Sequence, residues 1–291
     1  MAAGTKTTEA TPRAVLVTGA SSGIGHAIAQ ELLQSGFIVY AGVRKDADAS
    51  SLASLGERMH PIILDVTKPD DIASAIARIR GNSVPLWAAV CNAGVALGGP
   101  LEFVPLDRFR YQFEVNLFGA LAVAQAALPL LRETKGRLIF IGSISGRITP
   151  PLIGPYASSK AALGALTDVL SFELASCKSG VNVSLFEFGN VRTRIWEKGR
   201  TSLERLEQQS SPEQQRHYGA ILEPMRRGLA DQEQSALDPS VIARAVRDSL
   251  FSHDPRERYL VDGSAKVGAI ATKLLSVRAR GTLLRKVMKL P

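Results

Sequence analysis

"AVLVTGASSGIGHAIAQELLQ", residues 14–34, decides how this chain is read. Its start, four apolar residues in a row, has the pattern of a strand buried on both faces. From Ile24 onward the apolar residues recur at helical spacing. Between the two lies "TGASSGIG" (18–25). Gly19, Gly23 and Gly25 have different tasks there. One permits the tight turn, one lets backbone approach a ligand closely, and one lets helix and strand pack together. The helix that opens at this turn directs unpaired N–H groups and its positive dipole end outward, which suits a phosphate. Ser21, Ser22 and Ile24 complete the loop. The spacing is G-x-x-x-G-x-G and not G-x-G-x-x-G, so the motif draws its weight from its place directly after the first strand. The plainer alternative is a tight strand–helix link.

Similar apolar bursts recur at 37–43, 61–66, 86–94, 136–143, 181–189 and 258–263. Helical periodicity fills 24–35, 70–80, 107–132 and 156–177. Alternation of this kind with short links predicts an α/β fold, a doubly wound parallel sheet of about seven strands flanked by helices on both faces. No internal repeat or linker divides residues 13–263, which are expected to form a single domain. Residues 190–237, rich in Arg, Glu and Gln and without a strand pattern, are expected to be a substrate lid. Residues 1–12 are small and polar and are expected to be a disordered tail.

Two cysteines, Cys91 and Cys177, and four scattered histidines exclude a disulfide framework and a metal cluster. They suit a reducing compartment, and a cytoplasmic location is expected. No run reaches the roughly 20 uninterrupted apolar residues of a spanning helix. The richest, "LFGALAVAQAALPLL", reads as a buried core helix. The net charge is +8, but the chain after Asp262 holds seven basic residues and no acid. The excess therefore belongs to the tail, and the domain gives no sign of binding nucleic acid.

The second strand ends "YAGVRK". The position where an NAD-preferring domain often carries an acid holds Gly42, and Arg44 follows. A guanidinium there could pair with a 2′-phosphate, which favours NADP(H), with NAD(H) possible. Alternatively Arg44 is a solvated strand-end arginine. Asp65 and the adjoining Val66 fall where the adenine would lie; Asp65 could instead cap the helix that follows. Tyr156 and Lys160 in "GPYASSK" (154–160) stand one helical turn apart. A phenol is a poor proton donor near neutral pH, and an ammonium beside it would lower its pKa. Ser143 ends the fifth strand, at the sheet edge where such folds place ligands. Asn116 lies in the preceding long helix, and "NAG", Asn92, Ala93 and Gly94, ends the fourth strand.

With these motifs in this order, the chain resembles the single-domain branch of the short-chain dehydrogenase/reductase superfamily, over residues 13 to 263. "FIVYAGVR", "LWAAVCNAG" and "RYLVDG" resemble the subgroup of 17β-hydroxysteroid, retinol and 3-hydroxybutyrate dehydrogenases. The resemblance implies an alcohol dehydrogenase or carbonyl reductase. Tyr156 would move the proton, Ser143 would hold the substrate oxygen, Lys160 would tune the phenol and bond the nicotinamide ribose, and Asn116 would hold a water leading to solvent. Gly189, Val191 and Thr193 would line the nicotinamide. The chain departs from the pattern twice. Cys91 replaces an asparagine and reads as a packing residue. Phe188-Gly189 replaces Pro-Gly, which predicts a looser turn. The resemblance also implies a homodimer or homotetramer formed through helices at 107–132 and 156–177.

The expected pocket walls, 95–103 and 147–155, are mostly apolar, which favours a steroid, retinoid or lipid-like carbonyl or alcohol. Two other functions fit the fold: a non-catalytic nucleotide-sensing protein, and an NAD-dependent dehydrogenase of a small hydroxy acid. A serine hydrolase is excluded, because "GSISG" centres on Ile144. The basic tail, 264–291, has apolar residues at helical spacing. It reads either as a helix lying on an anionic membrane, giving peripheral membrane contact, or as one docked on the body or on a partner subunit.

Overall fold

The computed structural model describes residues 12–193, 200, 201, 204, 208 and 210–290. Seven strands form one parallel sheet: β1 Ala14–Thr18, β2 Ile38–Val43, β3 Met59–Ile63, β4 Leu86–Cys91, β5 Arg137–Ile141, β6 Asn182–Glu187 and β7 Arg258–Leu260. Their spatial order is β3-β2-β1-β4-β5-β6-β7. The order reverses between β1 and β4, so a crevice opens beyond their carboxyl ends.

The helices are α1 Gly23–Gln34, α2 Asp46–Ala53, α3 Pro69–Arg80, α4 Leu106–Phe113, α5 Gly119–Thr134, α6 Gly154–Ser176, α7 Pro212–Gln234, α8 Pro239–Phe251, α9 Gly263–Leu274 and α10 Val277–Val287. Strand residues alternate between two cores. Val15, Val17, Val39, Val90 and Ile139 meet α1 and α8 on one face. Leu16, Tyr40, Ala89, Leu138 and Phe140 meet α3, α5 and α6 on the other. Each of the Val, Leu, Ile and Phe side chains among these contributes about 1.5–3 kcal/mol of burial free energy. The apolar helix predicted at 107–132 runs from Leu106 to Thr134, with a π turn at Glu114–Phe118 joining α4 to α5. It alone among the described helices is long and apolar enough to cross a membrane, but Val123, Ala124, Ala127 and Leu131 lie in the core.

The third strand starts at Met59, two residues before the predicted run, and ends at Ile63. Pro61 lies inside it, tolerated because β3 is an edge strand. Residues 190–237 begin and end at a parallel bridge between Val191 and Leu237. Their described part is largely helical, with α7 seated by Leu222 and Met225 against Leu152. Residues 1–11 of the predicted N-terminal tail, and 194–199 with several following positions of the predicted lid, lie outside the described residues. In the basic tail α9 docks on the body. A Cβ on Gly268 would stand 2.5 Å from Ile148 Cδ1, and Ala265 and Ala269 are buried.

Candidate active site

The glycine turn is built as the spacing predicts. Gly19 (φ +68°) and Gly23 (φ +58°) occupy left-handed backbone that side chains resist. Gly25 is required by contact: a Cβ there would lie 2.3 Å from both Asn92 Nδ2 and the Gly19 carbonyl oxygen. Asn92 Nδ2 donates to the Thr18 and Gly19 carbonyls, at 2.9 and 3.2 Å. Thr18 Oγ1 accepts from the backbone N–H groups of Asn92 and Ala93, each at 3.0 Å. The "NAG" segment is thereby tied to the glycine turn. The motif's spacing assigns no role to Thr18, its first residue; the fold gives it this one.

Ser22 precedes α1 and makes no side-chain cap, and the first turn carries no acid. A cleft of about 620 Å3 opens beside it, lined by Ser21, Ser22, Gly23, Gln30, Arg192 and Thr193 among others. Glycine backbone, a positive helix end and no competing carboxylate in that turn fit a pyrophosphate. Ile24 packs against the core below. Val66 is buried against Gly119, where a Cβ would stand 2.6 Å from Val66 Cγ2. Gly94 faces Asn116, its Cβ position 3.3 Å from Oδ1.

At the end of β2, Gly42 has a packing reason: a Cβ would stand 3.0 Å from Leu64 Cδ2. Arg44 is exposed beyond it. Asp65 does not cap α3. Its carboxylate accepts from Thr67 N and Oγ1, at 3.0 and 2.8 Å. Burial raises its pKa, but the Thr67 hydrogen bonds and the charges of Arg44 and Lys68 outweigh this and hold it below the ordinary value.

At the chemical end, Ser143 follows β5 and opens a 3-10 turn, Ile144–Gly146, its Oγ accepting from Ser145 N at 3.1 Å. Tyr156 stands in the first turn of α6, behind Pro155. Burial raises the Tyr156 pKa, and the hydrogen bond with Ser143 partly offsets this. The Ser143 hydroxyl thus acts on the phenol directly, a contact the sequence reading does not draw. Lys160 Nζ donates to the Ile141 carbonyl at 2.7 Å and lies 5.9 Å from the Tyr156 ring centre. Burial lowers its own pKa to about 8.

Asn116 lies in the π turn, a distortion common at functional sites. Its Oδ1 accepts from Val95 N at 2.8 Å, and its Nδ2 donates to Val95 O at 3.0 Å and Ser159 Oγ at 3.1 Å. Ser159 Oγ in turn donates to the Tyr156 carbonyl at 2.8 Å. Asn116 therefore clamps the loop at Val95 to α6. Gln112, fully buried one turn earlier, adds bonds of 2.7 Å to Leu97 N and Val95 O. Its place four residues before Asn116, on the same helix face, was the readable signal for it.

The turn at Phe188-Gly189 is not loose. Phe188 is buried, its carbonyl accepts from Ile144 N at 3.0 Å, and Gly189 N donates to Asp262 Oδ1 at 2.9 Å. A Cβ on Gly189 would stand 2.1 Å from Ser264 Oγ. Val191 is buried, and the Thr193 methyl would lie 3.1 Å from a Cβ on Gly23. The loop after β6 thus reaches back to the glycine turn. Cys91 is a packing residue, as read: it is buried and its thiol pKa is pushed up to about 12.

The two predicted wall loops are joined. Gly99 N donates to the Leu152 carbonyl at 2.7 Å, and Leu152 holds φ +63°, a strained value for leucine. Beneath them the nearly fully buried carboxylate of Glu187 accepts from Arg147 Nε and Nη2, at 2.8 and 2.7 Å, and from Arg258 Nη1 at 3.0 Å. Arg147 closes the turn that Ser143 opens. No group of metal-ligating side chains exists among the described residues.

A doubly wound sheet with a phosphate cradle at one end of its crevice and a Ser–Tyr–Lys cluster at the other defines a dinucleotide-dependent oxidoreductase. Comparison with known proteins agrees. Residues 13–204 match the family model described as short chain dehydrogenase. The chain is 34% identical over 257 residues to an NADPH-dependent 3-dehydrocapnine reductase of Ornithobacterium rhinotracheale, covering 86% of this chain and 88% of that one. It is 41% identical over 191 residues to estradiol 17-beta-dehydrogenase 2 of Rattus norvegicus, covering 63% of this chain and 49% of that one. A crystal structure of a short-chain dehydrogenase from Streptomyces avermitilis superposes with a TM-score of 0.76 at 27% identity, covering 97% and 98% of the two chains. The chain belongs to the short-chain dehydrogenase/reductase family. It is an oxidoreductase, and its similarity to a steroid dehydrogenase matches the subgroup read from its strands.

Proposed function

We propose that the chain is an NADP(H)-dependent reductase that converts an apolar ketone or aldehyde, steroid-, retinoid- or lipid-like, to its alcohol. The observation that carries this reading is the Ser143–Tyr156 hydrogen bond beside the buried Lys160, at the carboxyl end of β5. The cofactor, when bound, supplies the hydride. Tyr156 gives its phenolic proton to the developing alkoxide, and Ser143 donates a hydrogen bond to the same oxygen. Lys160, fixed on the Ile141 carbonyl, presents positive charge below the phenol and favours the phenolate that remains. Asn116 and Gln112 hold the wall that orients the substrate.

Arg44 with Gly42, where an acid would repel a 2′-phosphate, supports NADP(H). The NADPH dependence in the name of the bacterial relative points the same way. Leu97, Leu101, Phe103 and Leu152 on the joined wall loops support an apolar substrate. Residues 190–237 act as its lid: α7 meets the walls through Tyr218, edge-on to Phe103, and through a Tyr218–Glu102 hydrogen bond of 2.8 Å. Phe118, exposed on the π turn between α4 and α5, and Val169 and Phe172, exposed on α6, support self-association into a homodimer or homotetramer. Two free cysteines support a cytoplasmic location.

The test is a reductase screen of apolar ketones and short oxo acids with NADPH, using wild type and Tyr156→Phe. Turnover of the apolar set, lowered about 10²- to 10⁴-fold in the variant, is expected. Turnover of short oxo acids alone would assign the small-hydroxy-acid reaction instead. Cofactor binding without turnover of anything would leave a nucleotide-sensing protein.

A further inference from the structure

The C-terminal pair of helices has two opposed faces, and only one is used. Ala265, Gly268 and Ala269 of α9 pack against Ile144 and Ile148, immediately after Ser143. On the other side of the same helix Val267, Ile270 and Leu274 form a ridge at helical spacing, and their exposures are 68%, 56% and 77%. Lys266 and Lys273 flank it, and Val277, 76% exposed, continues it across the turn. Helix α10 buries no residue fully. It turns Arg278, Arg285 and Lys286 outward, with Leu283 and Val287 at their border. A cleft of about 560 Å3 at the corner between the helices is lined by Leu275, Ser276, Arg278, Leu283 and Lys286, among others. Residues 263–291 contain seven basic residues and no acid.

An apolar ridge flanked by Lys266 and Lys273 and followed by the basic α10 matches the boundary of a lipid leaflet, where acyl chains meet anionic headgroups. We infer that α9 and α10 seat the enzyme on an anionic membrane surface, with the docked face of α9 holding the Ser143 turn beside that surface. A second copy of this chain is the poorer occupant, because two such faces would bring like charges together. The mouth of the active site then lies where an apolar substrate partitions.

The test is co-sedimentation of the full chain with mixed phosphatidylcholine–phosphatidylglycerol vesicles and with pure phosphatidylcholine vesicles. The chain is expected to bind the mixed vesicles, to bind pure phosphatidylcholine far more weakly, and to be released by salt. Ile270→Glu and Leu274→Glu abolish binding. Lys273→Gln and Lys286→Gln each weaken it about fivefold. Reduction of a water-soluble ketone stays unchanged in all four variants, so failure of this inference is separable from failure of the reductase reading. No binding to mixed vesicles at low salt, equal binding to both vesicle types, or variants that bind like wild type would overturn it. So would a change of oligomeric state on Ile270→Glu, which would assign the ridge to a second copy.

Discussion

Replacing Glu187 by alanine should damage both stability and catalysis, by separable amounts. The carboxylate is nearly fully buried and holds two guanidinium groups. Breaking a buried ion pair by removing one partner costs about 3–5 kcal/mol. Two features place this case at the low end. Arg258 keeps Asp168, at 3.0 and 2.6 Å, and the Arg147 and Arg258 side chains are 24% and 28% exposed, so water reaches both. A loss of about 3 kcal/mol is expected, which in a chain of this size lowers the melting temperature by roughly 6 °C. The catalytic effect has a different origin. Arg147 loses both of its anchoring bonds, and the 3-10 turn that begins at Ser143 is freed. Misplacement by about 1 Å can cost about 100-fold, so kcat should fall about 10- to 100-fold while the KM for NADPH changes little. Glu187→Gln keeps the shape and one acceptor and should fall between. Thermal denaturation and steady-state kinetics read the two quantities. A melting temperature equal to wild type would refute the energetic reasoning. A destabilised enzyme with unchanged kcat would refute the positioning role.

Two further predictions concern the titratable groups. In the reducing direction Tyr156 must be protonated, so the rate holds at low pH and falls as pH rises through the phenol pKa. Ser143→Ala removes the bond that lowers that pKa. The fall should therefore move to higher pH in the kcat profile, with kcat itself down about 10²- to 10³-fold; an unmoved or lowered limb would contradict it. The second concerns stability. Lys160 has its pKa lowered from 10.5 to about 8 by burial, so between those values the unfolded chain binds more protons than the folded one. This group alone should then add stability as pH rises across that window, by roughly 3 kcal/mol in all. The raised Cys91 thiol opposes it above about pH 9 in wild type and variant alike, so urea denaturation at several pH values should show wild type gaining by that amount relative to Lys160→Met; parallel curves would refute it.

The parts of the fold that the sequence displays are those set by local pattern. Strands buried on both faces must be nearly continuous in apolar residues, and the turn at 18–25 must have glycine where φ is positive or a Cβ would collide. Those constraints are written residue by residue. Weak amphipathicity hid α2, whose only buried residue is Leu52. Helix α8 was readable from Asp238, which caps it, and Pro239 at its first position, but the sequence reading passes over it. The polar helix α7 lacks a stripe strong enough to stand out from a loop. The site divides in the same way. Tyr156 and Lys160 are one turn apart and visible together, whereas the Glu187 clamp joins positions 40 and 71 residues away. Thr18 and Gln112 act on backbone groups far along the chain, which no local spacing reveals. The direction of Lys160 depends on the Ile141 carbonyl, and the bond between Ser143 and Tyr156 joins a strand end to a helix, so both emerged only from the fold.

The central claim is use of NADP(H) through Arg44, and titration of the purified protein with NADPH and with NADH, followed by nicotinamide fluorescence, tests it most directly. NADPH should bind at least tenfold more tightly, since a charge-assisted pair is worth about 1.5–3 kcal/mol, and Arg44→Ala should erase the difference. Preference for NADH, or an NADPH preference that survives Arg44→Ala, would contradict it.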